Sequence, residues 1–152
     1  MTDVSIVIVN WNAGDYLARA VASVFADPFA GGREVIIVDN ASTDESMAKI
    51  VAAEPRARRI QMQTNVGFAR ACNVGVRASG GRYALLLNPD AELRPGALGA
   101  LVELADASPD TAILGGSVVS PDGTPEPASR RTVPTPAIAF ARLFGKFGAT
   151  RL

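Results

Sequence analysis

A chain of 152 residues, 48% hydrophobic and 20% charged, is long enough for one domain with a real core and is not composed like a disordered segment. With 15 basic and 15 acidic residues its formal net charge is zero, which argues against a general nucleic-acid binder. No histidine and one cysteine, Cys72, exclude His-based triads, cysteine metal clusters and any intrachain disulfide.

The charge is unevenly placed. Residues 1–127 hold 10 basic and 15 acidic residues, whereas 128–152 hold 5 basic and no acidic ones. The body is acidic and the tail basic. Met1-Thr2-Asp3 leads straight into a strand-like run, without the basic and apolar regions of a signal peptide. No apolar stretch approaches the roughly 20 residues of a membrane span. The default expectation is a cytoplasmic, reducing location.

Val4–Val9 is β-branched and nearly continuously apolar, the pattern of a parallel-sheet strand buried on both faces. It breaks at Asn10-Trp11-Asn12-Ala13-Gly14. Leu17, Val21, Val24 and Phe25 then recur at helical spacing, and Pro28 and Gly31-Gly32 end that helix. Glu34–Asp39 is a second apolar strand closed by an acid. Ser42 and Glu45 have capping-box spacing and predict a helix start there, with Met47, Ile50 and Val51 as its apolar face and Pro55 as its end.

Arg59–Gln63 alternates as a weaker strand nearer a sheet edge. Asn65-Val66-Gly67 turns into a third helix, with Phe68, Cys72 and Val76 on one face and Gly80-Gly81 beyond it. Tyr83–Leu87 reads as a central strand. Pro89 fixes its own φ and keeps Asn88 out of helical geometry, so the strand ends there and delivers Asp90 to its C-terminal edge. Pro95 at the first helical position opens a fourth helix with Leu98, Leu101, Val102 and Ala105 as its stripe. Ala112–Val119 reads as a fifth strand with a glycine break, and Pro121-Asp122-Gly123-Thr124 as a hairpin turn.

Strands and helices alternate four times with short connections. The expected fold is α/β, a three-layer α/β/α arrangement of right-handed βαβ units around a mostly parallel central sheet. No internal repeat is visible. In such a sheet the strand ends share one edge, where open α/β folds bind ligands. Asn10, Asn12, Asp39, Asn65, Asn88 and Asp90 all follow strand ends and would line one crevice.

The usual nucleotide cradles are missing. Neither G-x-x-x-x-G-K-[ST] nor G-x-G-x-x-G occurs. A receiver would want acids where Asn10 and Asn12 stand, and a flavodoxin would want a Ser/Thr-rich loop there. What remains is a nucleotide held by side chains and a metal. Asp39 would accept from a base N–H, and Asp90, through Mg²⁺ or Mn²⁺, would neutralise a diphosphate leaving group.

Four ordered motifs carry a resemblance. They are Val7-Ile8-Val9-Asn10-Trp11-Asn12, Val38-Asp39-Asn40-Ala41-Ser42-Thr43-Asp44, the run Asn65-Val66-Gly67-Phe68-Ala69-Arg70-Ala71-Cys72-Asn73-Val74-Gly75, and Leu87-Asn88-Pro89-Asp90-Ala91. Together they resemble family 2 glycosyltransferases of the GT-A fold, and the last two resemble the rhamnosyltransferase-like branch, over about residues 4–131. The resemblance implies a donor-binding half at 1–131 and a basic amphipathic tail at 132–152 that starts an acceptor half.

It also implies transfer of a sugar, rhamnose among the candidates, from a dTDP- or UDP-linked donor to a saccharide or lipid-linked acceptor with inversion, as in polysaccharide or cell-wall synthesis. By that resemblance Asp39 contacts the nucleobase and Asn10 and Asn12 line the nucleoside pocket. Asn65, Gly67, Arg70 and Asn73 lie near ribose and diphosphate, with packing as the other role for Asn73 and Gly75. Asn88-Pro89-Asp90 replaces an Asp-x-Asp motif, with Asp90 as the metal ligand and Asn88 on ribose.

The family's general base follows in a later segment. No acid follows Glu126, so the base is expected beyond residue 152 and the catalytic residue is unknown. The alternative reading is a non-catalytic nucleotide-sugar-binding module. Trp11 has two readings, stacking or packing. The tail, with Phe140, Leu143, Phe144 and Phe147 among basic residues, either lies on an anionic membrane surface or packs against further protein.

Overall fold

The computed structural model describes residues 2–120 and 122–126. The chain divides into two compact units, the first Met1–Ala112 and the second beginning at Ile113. The expected boundary at 131 and the tail 132–152 lie outside the described residues.

The first unit alternates β1 (Val4–Asn10), α1 (Asp15–Ala26), β2 (Arg33–Asp39), α2 (Ser46–Ala53), β3 (Arg58–Gln61), α3 (Phe68–Ala78), β4 (Tyr83–Leu87) and α4 (Ala97–Ala107). All strand pairs are parallel, in the order β3-β2-β1-β4. β1 is therefore interior, which explains why it is buried at every position. β4 ends at Leu87 as the Asn-Pro turn requires. It is not central, however: among the described residues it stands at the end of the strand order, and its burial alternates. β3 sits at the opposite edge, as its weak pattern suggested.

Side-chain alternation divides the core between the two sheet faces. Val4, Ile6, Ile8, Val35 and Ile37 face α1, α2 and α4, meeting Leu17, Val21, Val24, Ile50 and Leu98. Val7, Val9, Ile36 and Val38 face α3 and meet Ala71 and Cys72. The expected three layers are present.

Four local expectations are corrected. α2 starts at Ser46 rather than Ser42, with no side-chain cap from Glu45, because the Ser42 hydroxyl is taken by Asn10 and by the Asn12 backbone N–H. On this helix Val51 is exposed and Ile50 alone of the predicted face is fully buried. α3 buries Ala71, Cys72 and Gly75 rather than the Phe68–Cys72–Val76 stripe; Phe68 and Val76 are exposed. Gly75 sets that rotation, since a Cβ there would lie 2.3 Å from Val7 Cγ1. The helix turns its smallest residues to the sheet so that it can approach.

α4 begins at Ala97, not Pro95, because Gly96 is in the left-handed conformation (φ 85°) and serves as the N-cap. Its missing cap is supplied at a distance: the buried Asp27 carboxylate, at the end of α1, accepts from Leu98 N at 3.4 Å and Phe29 N at 2.9 Å. A carboxylate there also suits the helix dipole.

The expected fifth strand, Ala112–Val119, whose residues from Ile113 on belong to the second unit, joins no named strand. Gly115-Gly116 breaks the run, offering no side chains to pair. The predicted hairpin turn does form: Val119 bridges Pro125 antiparallel, and Ser120 N donates to Thr124 O at 2.9 Å.

Candidate functional site

Because the strands run parallel, their C-terminal ends share one rim. Asn10 is the register partner of Asp39, and Ile8 that of Leu87, so the Asn88-Pro89-Asp90 turn emerges at the height of Asn10. Asp39 and Asp90 therefore stand on the same rim of the sheet.

An open cleft of about 1300 Å³ lies above that rim. Its floor and walls include Asn12, Asn40, Asn65 and Gly67, with Asn88 and Asp90 on the β4 side. The N-terminal residues of α1 and α3 also border it, Gly14 to Tyr16 from one and Phe68 from the other. Helix N-termini carry unpaired N–H groups and partial positive charge, which favours anions in the space between them.

The two acids are held in opposite ways. Asp39 is 1% exposed and does not line the cleft, although its neighbour Asn40 does. Its Oδ1 accepts from Asn10 Nδ2 at 2.8 Å; its Oδ2 accepts from Gln61 Nε2 at 2.6 Å and Ser42 N at 3.2 Å. Asn10, fully buried, also donates to the hydroxyls of Ser42 (2.9 Å) and Ser46 (2.8 Å). Every contact of that carboxylate is thus a neutral donor. Asp90 is exposed, lines the cleft, and makes no side-chain hydrogen bond or ion pair among the described residues.

Asn12 serves the loop opposite. Its Oδ1 accepts from Thr43 N at 2.7 Å and Asp44 N at 3.3 Å, while Gly14 N donates to Asp44 at 2.8 Å. Asn12 (φ 54°) and Ala41 (φ 63°) both have left-handed backbones, uncommon for residues with a Cβ. Such strain clusters where a binding rim must be shaped. The hydroxyl of Ser46, the first residue of α2, and the Gly14 N–H hold the Asp44 carboxyl below the usual carboxylate range against a smaller opposing effect of burial. On the α3 side, Asn40 Nδ2 donates to Asn65 Oδ1 at 2.8 Å, which also accepts from Gly67 N at 2.9 Å.

Of the residues singled out from sequence, Asn12, Asn65, Gly67, Asn88 and Asp90 line the cleft. Asn10 and Asp39 do not; both are buried, Asn10 between the lining residues Val9 and Trp11 and Asp39 next to the lining residue Asn40. Arg70 is exposed on α3 but is not among the lining residues. Arg19 is, and sequence reading missed it: it follows Tyr16 by three positions on the first turns of α1, so helical spacing from the rim could have found it. Its guanidinium pairs with Glu92, two residues past Asp90. Trp11 is 59% exposed and lines the cleft, so its packing reading fails; Tyr16 and Phe68 add two more exposed aromatics.

Residues 5–150 match the model of the family described as glycosyl transferase family 2. The chain belongs to that family. A succinoglycan biosynthesis protein, ExoO of Rhizobium meliloti (strain 1021), is 36% identical over 123 residues, 80% of this chain and 35% of its own. The N-acetylglucosaminyl-diphospho-decaprenol L-rhamnosyltransferase of Mycobacterium tuberculosis (strain ATCC 25618 / H37Rv) is 30% identical over 145 residues, 86% of this chain and 46% of its own. This family 2 chain therefore spans between a third and a half of the length of those relatives. Among solved structures, S. aureus TarS 1–349 in complex with UDP-GlcNAc superposes with a TM-score of 0.64 at 21% identity, covering 70% of this chain and 32% of that one. The shared architecture is the GT-A fold expected from sequence.

Among the described residues no group of three His, Cys, Asp or Glu is placed to hold a metal ion. Nor is any helix long and apolar enough to cross a membrane.

Proposed function

We propose that this family 2 domain, residues 1–131, binds the nucleotide-diphosphate donor of an inverting, metal-assisted glycosyltransferase. The observation that carries the reading is the contrast on one rim: Asp39 is buried and fixed as an acceptor, and Asp90 lines the cleft without a partner among the described residues. A fixed acceptor suits a base N–H. An exposed carboxylate at the cleft wall suits a cation carried with a diphosphate. The TarS structures with UDP and with UDP-GlcNAc support a nucleotide-diphosphate donor, UDP-linked or, as the resemblance implies, dTDP-linked.

Asp90 with Asn88 fits Mg²⁺ or Mn²⁺ taken with the substrate rather than a protein-built cage, since such ions are held by one or two carboxylates plus phosphate oxygens and water. The bound cation would neutralise the charge growing on the leaving diphosphate. The chain's own groups supply the rest. The borders of α1 and α3 direct N–H dipoles at the phosphates, and Arg19 adds a guanidinium at the wall. Trp11 offers a face for the base or sugar. Named relatives support a sugar such as rhamnose and a saccharide or lipid-linked acceptor in polysaccharide or cell-wall synthesis.

Calorimetric titration with UDP and dTDP, with and without Mn²⁺, on wild type and Asp90→Ala tests the reading. The expected result is Mn²⁺-dependent binding that Asp90→Ala loses. Equal binding by both proteins removes Asp90 from the metal role.

A further inference from the structure

Asn10, Asp39 and Gln61 stand in one row across β1, β2 and β3, each the register partner of the next. Partners in register present side chains on the same sheet face, so all three meet at the rim. A carboxylate oxygen has about two lone-pair directions. Both directions of Asp39 Oδ2 are filled, by Gln61 Nε2 at 2.6 Å and by Ser42 N at 3.2 Å. Oδ1 accepts from Asn10 Nδ2 alone, on the side of the buried Asn10; a base N–H that comes in from the exposed edge-strand side meets Oδ2 and must replace a donor already there.

The donors differ in how easily they leave. Ser42 gives a backbone N–H from the turn. Asn10, on the other oxygen, is buried, and its amide also holds two serine hydroxyls. Gln61 is exposed at the end of the four-residue edge strand. Among the described residues its only other side-chain bond runs from the same nitrogen to Met62 O, at 3.3 Å. Only Gln61 can withdraw into solvent without opening the core.

We infer that Gln61 is a displaceable stand-in for the nucleobase: its amide fills the acceptor direction on Asp39 that a pyrimidine imide N–H takes, and it swings out when nucleotide enters. The inference rests on the proposed contact between Asp39 and the base. One N–H donor is exchanged for another, so Asp39 keeps its bonds throughout. The exchange also selects among bases. Uracil and thymine present an N–H at N3, whereas cytosine presents a lone pair that the carboxylate repels. Gln61 thus competes with UDP and dTDP at this oxygen and has no such contest with CDP.

The test is calorimetric titration of the full 152-residue chain with UDP, dTDP and CDP, in Mn²⁺, for wild type, Gln61→Ala and Asp39→Asn. Gln61→Ala is expected to tighten UDP and dTDP by about threefold to tenfold, the span of one net hydrogen bond, and to leave CDP unchanged. Gln61→Asn, whose shorter amide cannot reach Oδ2, is expected to act the same way and serves where Gln61→Ala does not fold. Unchanged or weaker UDP binding in a folded Gln61 variant overturns the inference, as does equal tightening of CDP. Failure of the underlying reading looks different: Asp39→Asn that binds UDP as tightly as wild type removes the base contact itself.

Discussion

Asn10 and Asp39 are register partners at the C-terminal ends of β1 and β2, and the Asn10 amide donates to the Asp39 carboxylate at 2.8 Å. Both residues are buried, so neither can exchange its partner for water. Asn10→Ala leaves Asp39 Oδ1 without its donor and takes one bond each from the Ser42 and Ser46 hydroxyls, and should cost about 2–3 kcal/mol of folding stability in urea denaturation. Asn10→Asp should be worse at pH 7, where two carboxylates face each other. Its deficit should shrink toward acid, because a protonated carboxyl can donate again.

Gly75 brings α3 onto the sheet. An added Cβ would meet Val7 Cγ1 at 2.3 Å and Val38 Cγ2 at 3.1 Å, inside a packed core. Gly75→Ala should therefore destabilise by about 1–3 kcal/mol despite alanine's better helix propensity. Val7→Ala added to Gly75→Ala should cost less than the two single losses summed, and a denaturation double-mutant cycle reads that difference.

That helix also shows where the sequence was legible. The alternation of strands and helices, the buried β1 and the Asn-Pro stop of β4 all follow from hydrophobic period and proline geometry. The face of α3 does not, because Phe68 and Val76 look like core and are exposed, while the contact is made by Ala71 and Gly75. Close approach selects small residues, which hydrophobicity ranks low. Likewise Ser42 has the spacing of a cap, yet a residue 32 positions away takes its hydroxyl. Side-chain competition of that range leaves no local trace. The rim was legible as a set of strand-end polar residues; the division between the buried pair and the open Asp90 was not.

Near the N-terminal ends of β1 and β2, Glu34 Oε1 accepts from its register partner's hydroxyl, Ser5 Oγ, at 2.6 Å and from Gly80 N at 2.8 Å. The Ser5 bond, chiefly, then Gly80 and the Arg58 charge, hold the Glu34 carboxyl below its ordinary 4.5 against the upward push of burial. The stabilisation is complete above that ordinary value, where the unfolded chain is also ionised. It is lost as pH falls through the lower folded value. Glu34→Gln should cost about 1 kcal/mol at pH 7. Melting curves of wild type and variant should converge in acid below pH 4.5.

Arg33 closes the end of α1, whose last turn carries no basic residue of its own. Its guanidinium donates to the carbonyls of Val24 (2.7 Å), Asp27 (2.8 Å) and Phe29. An ammonium cannot span three carbonyls in that fork geometry. Arg33→Ala should lower stability by about 2–3 kcal/mol, and Arg33→Lys should recover less than half of it in the same urea titration.

Two arginines are candidates for the proposed diphosphate. Arg70 belongs to the motif that carries the family resemblance, but it is exposed on α3 and does not line the cleft. Arg19 does, and its partner Glu92 sits on the loop that carries Asp90. Both members of that pair are substantially exposed, so the ion pair itself adds little stability and is free to be exchanged. A diphosphate entering beside Asp90 offers the guanidinium a stronger, bidentate partner than Glu92. Arg19→Ala should therefore weaken UDP binding about tenfold, while Arg70→Ala changes it less than twofold and both variants keep wild-type melting temperatures. Glu92→Gln, which frees Arg19, should tighten binding in the same titration. The reverse ranking of the two arginines would move the phosphates from the α1 wall to the α3 wall.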